Sequence, residues 1–517
     1  MDHTQHNKLA NFIWLIADDV LRDVYVRGKY RDVILPMTVL RRIDALLEPT
    51  KAKVLKMKAF LDEKKVSTQS AALAKEAGFS FYNASPYTLR SLLDHPKQMV
   101  ANFEAYLDGF SDNVVEIMEK FNFRGQLPKL FKADRLGMLI QRFVSPDINL
   151  SPEPVLDLKG GVKHPGLSNL GMGYVFEELI RRFNEENNEE AGEHFTPREV
   201  VRLMASLLFV PIKDQITDGT WLVYDCACGT GGMLTEADGM LHELAETHHK
   251  KLSTHLYGQE VSDETYAICK ADLMIKGEDE KNIRFASTLS DDQFKRVEFD
   301  FMLANPPYGK SWKADLEKLG SGDGKKGVSD PRFVVSHDGN PEFSLVTRSS
   351  DGQLMFLVNM LSKMKGAATG LGSRVATIHN GSSIMTGDAG QGESNIRQWI
   401  IENDWLEAVI GLPENLFYNT GIATYIWVLT NRKPAHRKGK VQLIDATQWF
   451  TKLRRNLGKK NCEFSPAQID QILATFVDFK PGEQSKIFDN REFGYWQITV
   501  ERPLRLRVDL GLSLIHI

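Results

Sequence analysis

Cysteine is scarce in this sequence, with four residues in 517: Cys226, Cys228, Cys269 and Cys462. That excludes a disulfide-stapled secreted scaffold. Cys226 and Cys228 form the only close pair, and no second Cys or His pair stands near them at zinc spacing, so no metal site is expected. The plain expectation is four small buried hydrophobes in a reducing compartment. Long apolar runs are also missing: no segment approaches the roughly 18 residues a spanning helix needs. The N-terminus, MDHTQHNKLANFIW, lacks the basic-then-apolar order of a secretory signal. A cytoplasmic chain with no membrane contact is expected. A basic excess is lacking too, since 64 Lys and Arg face 68 Asp and Glu for a net charge of −4. A protein that grips DNA unaided usually shows the opposite balance.

What remains is an ordinary globular composition, 42% hydrophobic and 26% charged, long enough for two or three domains. The charge is unevenly spread. Residues 432–460 hold Arg432, Lys433, Arg437, Lys438, Lys440, Lys452, Arg454, Arg455, Lys459 and Lys460 against one acid, Asp445. Such a run reads either as a solvated face or as a phosphate-contacting surface.

Residues 1–165 read as a helical domain. Phe12, Ile13, Leu15, Ile16, Val20 and Val24 recur near helical spacing, 33–47 gives a second amphipathic run, and 97–121 and 134–144 give further helices. A Pro- and Gly-containing loop, 146–168, marks the boundary. From 166 to 445 short apolar strands alternate with helices, the texture of an α/β domain with a largely parallel, Rossmann-like sheet. Strands are expected at 221–224, 255–258, 283–286, 299–304, 374–378, 406–410, 423–429 and 441–444, with helices at 232–248, 263–276, 353–365 and 394–402. The stretch 310–350 reads as a long flexible insertion, and 446–517 as a weakly patterned tail for subunit contact. The final GLSLIHI carries no motif.

Three segments carry chemistry. DCACGTGG, 225–232, follows the strand WLVY; its glycines permit a tight turn and close approach of a ligand to the backbone. No Gly-Lys-Ser/Thr follows, so it is not a phosphate P-loop. HLYGQE, 255–260, ends the next strand on Glu260, whose carboxylate is able to accept from both hydroxyls of a ribose, or merely to cap the following helix. Together they describe a nucleoside-bearing cofactor across two strand ends. NPPY, 305–308, follows FDFMLA. An exocyclic amine is a poor nucleophile because its lone pair is delocalised into the ring. The Asn305 side-chain oxygen and the Pro306 carbonyl offer two acceptors for its N–H groups, Pro306 and Pro307 stiffen the turn, and Tyr308 offers a flat stacking face. EHFTPREV, 193–200, reads as a helix start, with Thr196 as N-cap, Pro197 first in the helix and Glu199 third.

Read together, these residues resemble the γ class of amino-methyltransferases, in the order threonine-proline segment, glycine-rich loop, NPPY. More closely they resemble the modification subunit of type I restriction–modification systems. That resemblance covers most of the chain, including GEHFTPR, LEAVIGLPENLFYNTGIATYIWVL (406–429) and VERPLRLR near the end. It implies an S-adenosylmethionine-dependent, site-specific methyltransferase of adenine N6 in DNA that protects host DNA. The implied partners are DNA, a specificity subunit that reads the sequence (one per two modification subunits) and a restriction subunit that can join. It places Glu193, His194, Phe195, Thr196, Pro197 and Arg198 at the methionine end of the cofactor. Thr230, Gly231 and Gly232 contact its backbone-facing side, Glu260 its ribose, Asp225 and Gly229 also bind the cofactor, and Asn305, Pro306, Pro307 and Tyr308 hold the target adenine. The adenine would leave the duplex to react. Two departures stand out: Cys226 replaces a common proline, and Ser287 stands where an Asp or Asn often meets the cofactor's adenine. NPPY also occurs in enzymes that methylate protein glutamine or RNA guanine, so those activities, and a non-catalytic assembly subunit, are the alternatives.

Overall fold

A computed structural model of the chain describes residues 3–186, 196–320, 327–337, 340–368, 370–418, 420–495 and 498–501. Its first part is helical, as the periodicity predicts. The helix His3–Leu21 buries Ala10, Ile13, Ile16, Ala17, Val20 and Leu21 along one face. The next, Arg31–Leu47, is buried almost all round and runs through the middle of the bundle. One expected helix is two: Met99–Asp108 and Asp112–Lys120. The break falls at Gly109, where a Cβ would lie 2.5 Å from Ser85 Cβ, so no side chain fits, and the next residue, Phe110, bridges to Asn83. The helix Lys51–Glu63 also belongs to this bundle; its mixed face carries little periodic signal.

Arg42 ties the boundary loop to this bundle. Fully buried, it donates Nη1 to the carbonyls of Leu150 (2.5 Å) and Leu167 (2.9 Å) and Nη2 to Asn169 Oδ1 (2.6 Å). Burial lowers its pKa to about 10, which leaves it charged at neutral pH.

The second part is built on a nine-stranded sheet, whose strands we number within it: β1 (Gly219–Asp225), β2 (Leu252–Glu260), β3 (Ile283–Phe285), β4 (Phe301–Ala304), β5 (Arg374–Asn380), β6 (Leu406–Gly411), β7 (Thr424–Thr430), β8 (Lys440–Asp445) and β9 (Ser485–Asp489). Their spatial order is β9-β8-β6-β7-β5-β4-β1-β2-β3. The strands β3-β2-β1-β4-β5 are mutually parallel, β7 is antiparallel to both β5 and β6, and β9 is antiparallel to β8. All eight expected strands lie in this sheet. The order reverses between β1 and β4, which opens a crevice at their carboxyl ends, where doubly wound folds bind ligands.

Two expectations are corrected. The segment after 445 is no featureless tail: Ser485–Asp489 pairs with Lys440–Ile444 as an edge strand, and the helix Pro466–Asp478 buries Ile469, Ile472 and Phe476 in the sheet's core. A lone edge strand needs apolar residues on one face only, so its pattern is faint. Nor is 310–350 wholly loose. Within its described residues Trp312, Leu316, Phe333 and Leu345 are buried, and Arg332 donates to the carbonyls of Thr288 and Leu289. VERPLRLR from Arg502 on and GLSLIHI lie outside the described residues.

The bundle docks on the face of the helix Asp263–Lys276 that turns away from the sheet. Ala267, Ile268, Ala271, Met274 and Ile275 share its core, while Glu116 accepts from Tyr266 and Lys270, each at 2.6 Å.

Candidate active site

The crevice holds a cleft with about 460 Å³ of open space, its mouth to solvent included. Thr196, Arg198, Asp225, Gly229, Thr230, Gly232 and Asn305 line it, together with Glu177, Val201, Ala227, Cys228 and Met233. Seven of the sixteen residues singled out in the sequence thus meet on one surface. Glu193, His194 and Phe195 lie outside the described residues.

The floor is the turn after β1. Gly229 and Gly231 have φ of +53° and +80°, a region that favours glycine. A Cβ on Gly231 would lie 2.7 Å from Cys269 Sγ, and one on Gly232 3.0 Å from Glu177 Oε1. Gly231 also faces the helix Asp263–Lys276 and not the cleft. All four cysteines are buried and unpaired; burial and the charge of Asp225 push the Cys226 thiol well up.

Glu260 sits behind this turn. Its Oε2 accepts from Gly229 N at 2.8 Å, and Oε1 accepts from Val261 N at 3.0 Å and Ser262 N at 2.8 Å. Three of a carboxylate's roughly four acceptor positions are therefore filled by backbone. The side chain clamps the glycine turn, caps the following segment and has about one position left for a hydroxyl.

Asp225 is 2% exposed, and its carboxyl is raised to about 7. Burial is the main cause; the Ala227 N–H opposes it, and the negative charge of Glu260 adds to it. Opposite stands Arg198, whose Nε and Nη2 grip Glu177 bidentately at 2.9 and 2.7 Å, with the guanidinium 3.8 Å from the centre of the Tyr174 ring. Burial opposes its charge, but Glu177, Tyr174 and Glu236 outweigh it and raise the pKa. Its Nη1 lies 3.5 Å from Glu236 Oε2 yet makes no hydrogen bond. A cation with a buried unused donor facing two acids fits the carboxylate and ammonium of an amino-acid ligand.

At the far end, Asn305 follows β4. Its Nδ2 donates to Thr196 Oγ1 at 2.9 Å, while its buried Oδ1 has no partner. An orphaned buried acceptor costs free energy, about 1–3 kcal/mol, unless a ligand satisfies it. Thr196 is thus not the helix cap that the sequence suggests. The helix runs Arg198–Phe209 with Pro197 as its N-cap and no side-chain cap, because the threonine hydroxyl is engaged by Asn305. Pro306 is buried, Pro307 and Tyr308 are half-buried, and the turn ends at Gly309 (φ +71°), whose N–H donates to Asp351 Oδ1 at 3.1 Å. The Tyr308 ring packs on the sheet's core, and burial pushes its hydroxyl up to about 12. Ser287 donates to Asp315 Oδ1 at 2.6 Å, as does Ser290.

Sequence reasoning missed Glu177 and Asp351. A signal for Glu177 exists: GMGYVFEELIRRF places an acid amid the apolar positions Met172, Val175, Phe176, Leu179 and Ile180, and Glu177 is only 8% exposed. Asp351 sits in an irregular segment with no periodicity to mark it.

Comparison with known proteins fits this geometry. Residues 168–494 match the family described as N-6 DNA methylase, and residues 9–143 the one described as HsdM N-terminal domain. A type I restriction enzyme MjaIX methylase subunit of Methanocaldococcus jannaschii is 23% identical over 498 residues, covering 92% of this chain and 78% of that protein. The MpnII methylase subunit of Mycoplasma pneumoniae is 29% identical over 315 residues, covering 59% of this chain and 51% of its own length. The chain thus spans about half the length of some curated relatives. A crystal structure of a type I restriction-modification methyltransferase subunit from Streptococcus thermophilus shares the fold, with a TM-score of 0.65, 20% identity and coverage of 94% of this chain and 97% of that one.

Proposed function

Since the chain belongs to the N-6 DNA methylase family, we propose that it is the modification subunit of a type I restriction–modification system and methylates adenine N6 in DNA. S-adenosylmethionine, when bound, supplies the electrophilic methyl group. The cleft's own residues fit that cofactor: Arg198 Nη1 for the carboxylate, Asp225 and Glu177 for the ammonium, the glycine turn for the backbone-facing side and the remaining acceptor position of Glu260 for the ribose.

The observation that carries the reading is the orphaned Asn305 Oδ1 beside Thr196. It accepts one N–H of the adenine amine, the Pro306 carbonyl accepts the other, and the two hold the lone pair toward the cleft. They also stabilise the positive charge that develops on nitrogen. Tyr308 stacks on the base. Orientation of this kind is worth about 7–11 kcal/mol in well-aligned reactions. The base leaves the duplex to reach the site.

The relatives' names speak of subunits, and one structural neighbour (TM-score 0.53, 18% identity) is described in terms of complex assembly of a type I system. We assign sequence reading to a separate specificity subunit, with two modification subunits for each. The division at about 165 between a helical docking part and a catalytic part belongs to the same proposal. No described helix is long and apolar enough to cross a membrane.

The test is Asn305→Ala with the specificity partner. Tritiated methyl incorporation should fall below detection while S-adenosylmethionine affinity, by calorimetry, stays within about twofold. Near-normal turnover would remove the acceptor role.

A further inference from the structure

The basic run 432–460 divides into two kinds of side chain. Lys433, Arg437 and Lys460 are buried: Lys433 pairs with Asp404 at 2.6 Å, Arg437 donates to the carbonyl of Phe476, and Lys460 pairs with Glu199 at 2.5 Å. These three hold the fold. By contrast Lys452, Arg454, Arg455 and Lys459 stand exposed on the hairpin Thr451–Leu457/Lys460–Glu463, and among the described residues no carboxylate pairs with any of them. Some cations elsewhere find acids, as in Lys58–Asp62, Arg124–Asp108 and Arg142–Asp19, and others, such as the exposed Lys53, Lys56 and Lys213, pair with no carboxylate among the described residues. The hairpin is set apart by gathering four such cations between residues 452 and 459.

The hairpin is also held in a particular place. Lys460 Nζ, besides Glu199, donates to the carbonyls of Leu416 (2.9 Å) and Cys462 (2.7 Å), while Lys459 N donates to Tyr418 O (2.8 Å) and Asn461 N to Asn415 O (3.0 Å). Glu199 is three residues from Thr196, the partner of Asn305, so these bonds fix the hairpin to the rim of the cleft. Trp449 and Phe450, half-buried, lead into it and pack on the same core as Tyr308 and Phe417. Half-buried rings next to unpaired cations match the needs of a nucleic-acid strand: charge for the phosphates, faces for the bases.

We propose that this hairpin grips the phosphate backbone of the DNA strand whose adenine enters the cleft. The proposal rests on the methyl-transfer reading and adds the surface that delivers the substrate. Contacts of this kind position a strand without reading its sequence.

The test uses the full chain with a 30-base-pair duplex of arbitrary sequence, its affinity measured across a range of salt. The variant replaces Lys452, Arg454, Arg455 and Lys459 with glutamine; a control replaces Arg432, Lys438 and Lys440. Each phosphate contact contributes about 0.9 to the slope of log K against log salt. The hairpin variant should lose about 3 from that slope and the control less than 1, with S-adenosylmethionine affinity and melting temperature unchanged in both. A hairpin slope within 1 of the unmodified chain overturns the proposal. So does a normal slope accompanied by lost association with the specificity subunit, which would make the hairpin a protein-docking surface. If the slope depends on the hairpin but the unmodified complex transfers no tritiated methyl to DNA, the surface stands and the methyl-transfer reading falls. Normal transfer with an unaltered slope does the reverse.

Discussion

On the proposed reading, in which Asp225 faces the cofactor's ammonium, cofactor binding is a proton-coupled event. The Asp225 carboxyl titrates near 7 in the free protein, against 3.8 when unperturbed, because the cleft buries it and Glu260 repels its charge. A ligand ammonium set against it needs the ionised form. At pH 6 about nine-tenths of free Asp225 is protonated, so binding should release close to one proton. The affinity penalty is then about elevenfold, roughly 1.4 kcal/mol, and by pH 7 it shrinks to about twofold. Without ligand the sign is opposite to that of a salt-bridged carboxylate. Between pH 4 and 7 the folded state holds the proton that the unfolded state has lost, so stability falls as pH rises, by an amount on the order of 4 kcal/mol. Calorimetric titration at pH 6 in two buffers of different ionisation enthalpy counts the protons, and Asp225→Asn subtracts every other source. Equal apparent enthalpies in the two buffers, or the same release from Asp225→Asn, would refute the linkage.

Glu260→Gln is isosteric but turns one acceptor into an NH₂ facing either the Gly229 N–H or those of Val261 and Ser262. It should weaken S-adenosylmethionine at least tenfold and lower the melting temperature, since charge-assisted bonds are worth about 1.5–3 kcal/mol each; an unchanged melting curve would mean that the clamp is idle. Tyr308→Phe should keep most methyl transfer, the hydroxyl being neutral at any working pH, whereas Tyr308→Ala should lose nearly all of it. Equal loss in both would shift the role from the ring to the hydroxyl.

The parallel strands were readable because strands buried on both faces are continuous apolar runs. Phe301 to Ala304 are all buried, and so are six of the seven residues of β5. Motifs at strand ends inherited that clarity, which is why Asp225, Glu260 and Asn305 could be placed from the sequence. The edge strand β9 and the break at Gly109 depend on tertiary neighbours, Lys440–Ile444 in one case and Ser85 in the other, and no local pattern encodes them. Thr196 illustrates a different limit. Its sequence context is a good cap, yet 109 residues away Asn305 claims its hydroxyl. Local propensity loses to a long-range polar contact.

The charge distribution makes the same point at larger scale. A net −4 argues against DNA binding only if the charge is uniform, and it is not. Two acids, Glu177 and Asp225, and one cation, Arg198, line the cleft; Glu177 occupies two nitrogens of that cation, and Glu236 lies 3.5 Å from the third. Such a lining suits a ligand that is itself cationic, as a sulfonium with an ammonium is, and it repels phosphate. A substrate carried on a polyanionic backbone can therefore offer only its base to the cleft, and the backbone must be held outside it. The exposed cations of the hairpin at the rim meet that requirement. On the proposed reading, the acids of the cleft and the cations of the hairpin answer to two halves of one reaction, separated by the base that passes between them.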